Sequence, residues 1–249
     1  MTDEPYRWLE AIANRRDYVR EQLKGGSPAF AVSMPAGILL LGVGSGSSKV
    51  FELHDRHAMA GLGHPADIER IRQTAIDAAH IEAFTRAAQD VSLRRLVGFG
   101  LSAQVKQNFE QLFTAPVLGE FVFAELGDTP AHDHLVRLRF DGSFVTQSGG
   151  VCIVAPETEA ESAAQEWLRR EIESRTSLEA IADLLLQTWW CLKEGMSFPP
   201  TTPAESERQS GWKANLAGKT IEAALLRRQS SSVSRYETLV LNSEGLGIH

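Results

Sequence analysis

The sequence is short of cysteine, of net positive charge and of long apolar runs, and each shortage closes off a class of protein. Its cysteines are Cys152 and Cys191, both inside apolar runs. They read as two buried thiols kept in a reducing compartment, not as a disulfide framework. Lysine and arginine number 25 against 32 aspartate and glutamate, a formal charge of −7. Nucleic-acid binders carry a basic excess, so no nucleic-acid partner is expected. No apolar stretch approaches the roughly 18 residues that a membrane span needs, so no membrane partner is expected either. The opening residues are polar and acidic, without a basic stretch leading into an apolar one. They predict no signal peptide and a cytoplasmic protein.

The remaining composition, 43% hydrophobic and 23% charged, is ordinary for a globular chain. The pattern begins as a helix with Pro5 near its start and Trp8, Ile12, Val19 and Leu23 on one face, ended by Gly25-Gly26. Short apolar runs split by turn residues follow over 27–62 and predict strands. A helix from Pro65 carries Ile68, Ile71, Ala75 and Ala79. A second, after Asp90-Val91-Ser92, carries Leu93, Val97, Leu101, Val105, Phe109 and Leu112. Strands return, with an Asp141-Gly142 hairpin turn among them. Another helix pair covers about 157–173 and the stretch after Thr176, where Thr176 and Glu179 have capping-box spacing. A Pro/Ser-rich connection, 195–219, leads to two closing strands. Strand blocks alternating with helix pairs predict a layered α+β fold, and no composition break divides the chain, which predicts a single domain over 1–249.

Several motifs invite chemistry and do not support it. Gly42-Val43-Gly44-Ser45-Gly46 resembles a phosphate loop, but such a loop must open a helix, and a strand pattern follows here. Gly218-Lys219-Thr220 lacks the leading glycine of a nucleotide loop, since Lys213 stands there. His132-Asp133-His134 and His54 with His57 supply no third and fourth ligand at zinc spacing. No metal and no cofactor are expected.

Read as an ordered set, these segments resemble a known family. Asp17-Tyr18-Val19-Arg20 through Gly26-Ser27 resembles the helix end and Gly-Ser step of proteasome α-type subunits. Lys49-Val50-Phe51-Glu52-Leu53-His54-Asp55-Arg56 is similar to the bacterial α-subunit string Lys-Ile-Ser-Glu-Leu/Ile-Tyr-Asp-Arg, with His54 in place of tyrosine. Ala60-Gly61-Leu62, Asp90-Val91-Ser92 and the closing strands follow the same order. The resemblance implies the four-layer αββα sandwich of the N-terminal-nucleophile hydrolase type, over 27–249, with an N-terminal gate and assembly helix over 1–26.

It further implies a non-catalytic subunit, not an enzyme in itself. The catalytic β type uses an N-terminal threonine, a carboxylate and a lysine. Ser27-Pro28 stands at the strand start, and counting along from it puts Val43 at the carboxylate position and Met59 at the lysine position. Apolar residues cannot move protons. What the resemblance implies instead is a heptameric ring with neighbouring α subunits, stacked on proteasome β-type subunits. The ring admits unfolded protein substrates and docks the tails of an AAA-type ATPase activator. The docking pocket falls on Lys49 as the cation, Gly61 and Leu62 at the floor, and Asp17 beside it. The gate falls on Met1, Thr2, Asp3 and Glu4. Two alternatives stay open: a self-processing hydrolase using Ser27, and a one-component proteasome-like ring.

Overall fold

Strand residues with side chains on opposite faces sort this chain into layers. The computed structural model describes residues 4–200, 214–216, 218–229, 234–242 and 245–246. Helix α1 (Glu4–Leu23) precedes the hairpin β1 (Ala29–Met34) and β2 (Gly37–Gly44), then the hairpin β3 (Val50–His54) and β4 (His57–Gly63). Helix α2 (Pro65–Thr85), a wide π-helical stretch over Arg94–Leu101 and α3 (Ser102–Glu110) come next, followed by β5 (Gly119–Glu125), β6 (His134–Leu138), β7 (Phe144–Gln147) and β8 (Val151–Val154). Helices α4 (Thr158–Ile172) and α5 (Leu178–Lys193) lead to β9 (Thr220–Arg227), β10 (Tyr236–Leu239) and the short pair β11 (Leu241–Asn242) and β12 (Gly245–Leu246).

One sheet runs β10-β9-β2-β1-β8, the other β3-β4-β5-β6-β7, with antiparallel pairings throughout both. Alternation within each strand decides which layer a residue joins. In β1 and β2, Phe30, Val32, Leu39 and Leu41 meet Ile181, Leu185 and Trp189 of α5 in one core. Their neighbours Ala29, Ala31, Ile38 and Leu40 face the other sheet, where they meet Ala58, Ala60, Val122 and Ala124. On the far side of that sheet Met59, Phe121, Phe123 and Leu138 pack on Ile68 and Ile71 of α2 and on Leu93, Val97, Leu101 and Val105. The order is helix, sheet, sheet, helix, the sandwich that the sequence predicted. Alanine is frequent between the sheets and large side chains lie beneath the helices. Small residues let two sheets approach closely, while a helix layer needs bulk to fill the space below it.

Local signals act as the chain predicts, with two shifts. Gly142 has a φ of 81° in the β6–β7 turn, and Asp141 Oδ1 accepts from Ser143 N at 3.0 Å. The α5 cap is Ser177, one residue beyond Thr176, and its hydroxyl accepts from Ala180 N at 3.1 Å. The helix expected after Ser92 is π-helical up to Leu101 before it tightens into α3. Gly98 and Gly100 fall within that wide stretch, where the Phe144 ring packs over Gly98. Both cysteines are free and buried, and burial pushes the Cys152 thiol up to about 12.

Candidate functional site: a buried lysine at the start of the first strand

The β2–β3 connection is short, and its last residue, Lys49, turns back along β2. It lies along Gly42 and Gly44: a Cβ on Gly42 would meet Lys49 Cβ at 3.5 Å, and one on Gly44 would meet Lys49 Cε at 3.4 Å, ordinary contact distances. The side chain therefore runs beside the end of β2 that pairs with the beginning of β1, where Ala29 faces Gly42. Lys49 is only 9% exposed. Burial lowers its proton affinity; the Glu222 carboxylate opposes that shift and the Lys193 ammonium adds to it. Glu222, on β9, also fixes the backbone, since its Oε2 accepts from Lys49 N at 2.7 Å and Val50 N at 3.2 Å.

Gly61 closes the other side of the residue, donating its N–H to Lys49 O at 2.9 Å. Packing there is tight: a Cβ would sit 3.2 Å from the Ile68 side chain and 3.3 Å from Phe121, so a larger residue would have to push them back by a few tenths of an ångström. Leu62 is fully buried in the core between the sheets, and a Cβ on Gly26 would lie 2.9 Å from its side chain. The three residues predicted for a pocket thus belong to one contact group joined to the end of α1. Asp17 does not join them. Its side chain is 76% exposed, and its ion pair among the described residues is with Arg20 at 4.0 Å. Of the predicted gate, Met1, Thr2 and Asp3 lie outside the described residues, and Glu4 begins α1.

The sequence pointed to Ser27 but not to the side chains that surround the strand start. Ser27 Oγ accepts from Trp189 Nε1 at 2.7 Å, which ties the strand start to α5. Lys193 Nζ donates to Gly26 O at 3.2 Å and Gly25 O at 3.4 Å. Lys219 places its ammonium 5.3 Å from the centre of the Trp189 ring. Only Glu222 left a trace in the sequence, as a charge among the apolar residues of its strand. Counting for a catalytic lysine also needs correction. Met59 lies in the core beneath α2, whereas Lys49 is the lysine beside the strand start, because the short β2–β3 connection shifts the count. Val43, at the carboxylate position, is apolar core.

The histidine motifs have other roles. Asp133 makes a two-pronged pair with Arg228, both contacts at 2.9 Å, and accepts from Ser33 Oγ at 2.6 Å and Gly127 N at 2.9 Å. His57 is fully buried, 3.8 Å from Glu125. Among the described residues no group of three or more histidine, cysteine or acidic side chains is placed to hold a metal ion. Nor is any described helix long and apolar enough to cross a membrane.

The curated proteins to which the chain is similar include several named Proteasome subunit alpha. The chain is 31% identical over 147 residues to that of Paenarthrobacter aurescens (strain TC1), covering 57% of this chain and 60% of the relative. Identity is 31% over 160 residues to that of Streptosporangium roseum, covering 62% and 59%. It is 30% over 149 residues to that of Renibacterium salmoninarum, covering 58% and 60%. The matches span about three fifths of the length of these relatives. No family model matches the chain.

Proposed function

We propose that the chain, which is similar over about three fifths of its length to curated proteins named Proteasome subunit alpha, forms, as one α-type unit, the outer ring of a proteasome core particle in the cytoplasm. It joins neighbouring copies and β-type subunits, gates the entry of unfolded chains and docks an ATPase activator without cleaving peptides itself. The observation that carries the docking role is Lys49, a cation kept mostly out of water and fixed by Glu222 and Gly61 through its backbone. A terminal carboxylate is held best by a charge-assisted bond in such a partly desolvated place. Gly61 and Leu62 set the floor of that pocket. Asp17, exposed on α1, reaches a docking partner from the rim.

The ring role draws support from α1. Its apolar stripe is buried at Val19 and Leu23 but leaves Trp8 48% and Leu9 64% exposed, as a helix does when it packs against a neighbouring copy. The non-catalytic role draws support from Val43, an apolar core residue that offers no carboxylate at the position counted for one.

The test is Lys49→Ala in the assembled particle. Activator-stimulated proteolysis should fall to the basal level while small-peptide hydrolysis by the core is unchanged; unchanged stimulation would rule the docking role out. One observation favours a second reading: Lys49 beside the strand that follows Ser27 restores one of the groups a hydrolase needs. Intact mass of the purified chain separates the two, since loss of residues 1–26 belongs only to a self-processing hydrolase.

A further inference from the structure

Glu120 is an acid where the strand pattern calls for an apolar residue. On β5 it shares a face with Val122 and Ala124, and those two pack in the core between the sheets. The residue is 5% exposed, and its Oε2 has no hydrogen-bond partner among the described residues. Arg139 stands 3.6 Å from Oε1, beyond hydrogen-bond reach, because that guanidinium is engaged elsewhere. It donates to Thr158 Oγ1 at 3.3 Å and to Glu161 Oε1 at 3.2 Å. Glu161 also pairs with Arg137 and accepts from Ala155 N at 3.0 Å. One buried carboxylate of this group is therefore fully answered, while the other keeps an open acceptor at a cost in stability.

Glu120 lines a cavity of about 320 Å³ between the end of α1 and the start of α4, within the range that small ligands occupy. The walls are apolar at Leu23, Phe140, Ala155 and Pro156. The cations that line it already have acids of their own: Arg20 pairs with Asp17 at 4.0 Å, Lys24 with Glu21 at 2.5 Å, and Arg139 with Glu161. The lining acids do not. Glu157 and Glu159, exposed at the start of α4, form no ion pair among the described residues. An unanswered carboxylate thus lies buried at one part of the cavity, two more lie at its exposed rim, and apolar wall accompanies them. An anion would be repelled there, and an apolar ligand would leave Glu120 as it is. An ammonium only donates, and its bond to a carboxylate is strongest away from water. We propose that this cavity is a binding site for a short aliphatic diamine, with one ammonium held by Glu120, the other by Glu157 and Glu159, and the carbon chain along Leu23, Phe140 and Ala155.

Calorimetric titration of the full chain with butane-1,4-diamine, butylamine and butane-1,4-diol tests this. The diamine should bind, butylamine should bind about tenfold more weakly for want of the second charge, and the diol should give no saturable heat. Glu120→Gln keeps the shape of the buried side chain and removes its charge, and it should weaken both amines about tenfold. Glu157→Gln combined with Glu159→Gln should bring the diamine down to the affinity of butylamine and leave butylamine unchanged. Both rim residues are exposed and Glu157 caps α4 without a side-chain bond, so this variant keeps the test open even where Glu120→Gln fails to fold. No saturable heat from the diamine overturns the proposal and leaves the cavity to water. Equal affinity in the parent and the variants overturns it too, by placing the amine elsewhere on the acidic surface. Binding that is lost when copies of the chain assemble would give the cavity to a cationic side chain of a neighbouring copy, and the diamine site would fall.

Discussion

Two places in this molecule take charge out of water, and they treat it differently. At the clamp between the β1–β2 turn, the β5–β6 connection and the end of β9, Arg228 meets Asp133 in a two-pronged pair. It also donates to the carbonyls of Met34 and Pro35, while Ser33 and Gly127 satisfy the carboxylate further. At the start of the first strand, Lys49 is desolvated beside a carboxylate already engaged by two backbone amides. A saturated pair has nothing left to offer a ligand and can only hold the fold. A charge balanced this incompletely is costly to keep and is available for binding.

Breaking the clamp should have the largest effect. Asp133→Ala leaves Arg228 buried without its counter-charge, and stability should fall by about 3–5 kcal/mol, read as a drop in urea midpoint. A loss below about 1 kcal/mol would place the pair among surface bridges and dissolve the contrast.

Lys49 should respond in the opposite direction. Burial puts Lys49 below its ordinary value of 10.5, so between that depressed value and 10.5 the unfolded chain binds more protons than the folded one. Stability from this group therefore rises with pH across that window and is missing below it. Lys49→Met removes the charge but keeps the packing. The variant should be more stable than its parent at neutral pH, and its lead should shrink as pH climbs toward 10.5. Urea midpoints across a pH series check this; a variant less stable than the parent at neutral pH would show that Lys49 is a structural charge after all.

Glu120 offers the smallest and sharpest case. It lines a cavity of about 320 Å³ between the end of α1 and the start of α4, and its Oε2 has no partner although Arg139 lies 3.6 Å from Oε1. Burial raises its pKa above the ordinary 4.5. The folded state then holds the proton more tightly, so stability is present below 4.5 and lost as pH rises through the folded value. Glu120→Gln should flatten that decline, and identical slopes in parent and variant would remove Glu120 from the comparison.

The sequence by itself determined the layers. Alternation in β1, β2, β4 and β5 is a local property, and it separates the alanines between the sheets from the bulky residues beneath the helices. Gly25-Gly26, Asp141-Gly142 and Pro65 punctuate the chain through backbone preferences that need no distant partner. The candidate site was legible only in part, and for the same reason. Lys49, Gly61 and Leu62 share a hairpin and a register, so a local string carried them together. Glu222 lies 173 positions from Lys49, and Lys193 lies 167 from Gly26. Nothing in a local pattern announces a pairing at that range. Only the tertiary structure decided that Lys49 is desolvated, that Glu222 holds its backbone, that Asp17 stays exposed beside Arg20, and that Asp133 holds an arginine. Burial and counter-charge belong to the space between elements, which the chain specifies only by folding.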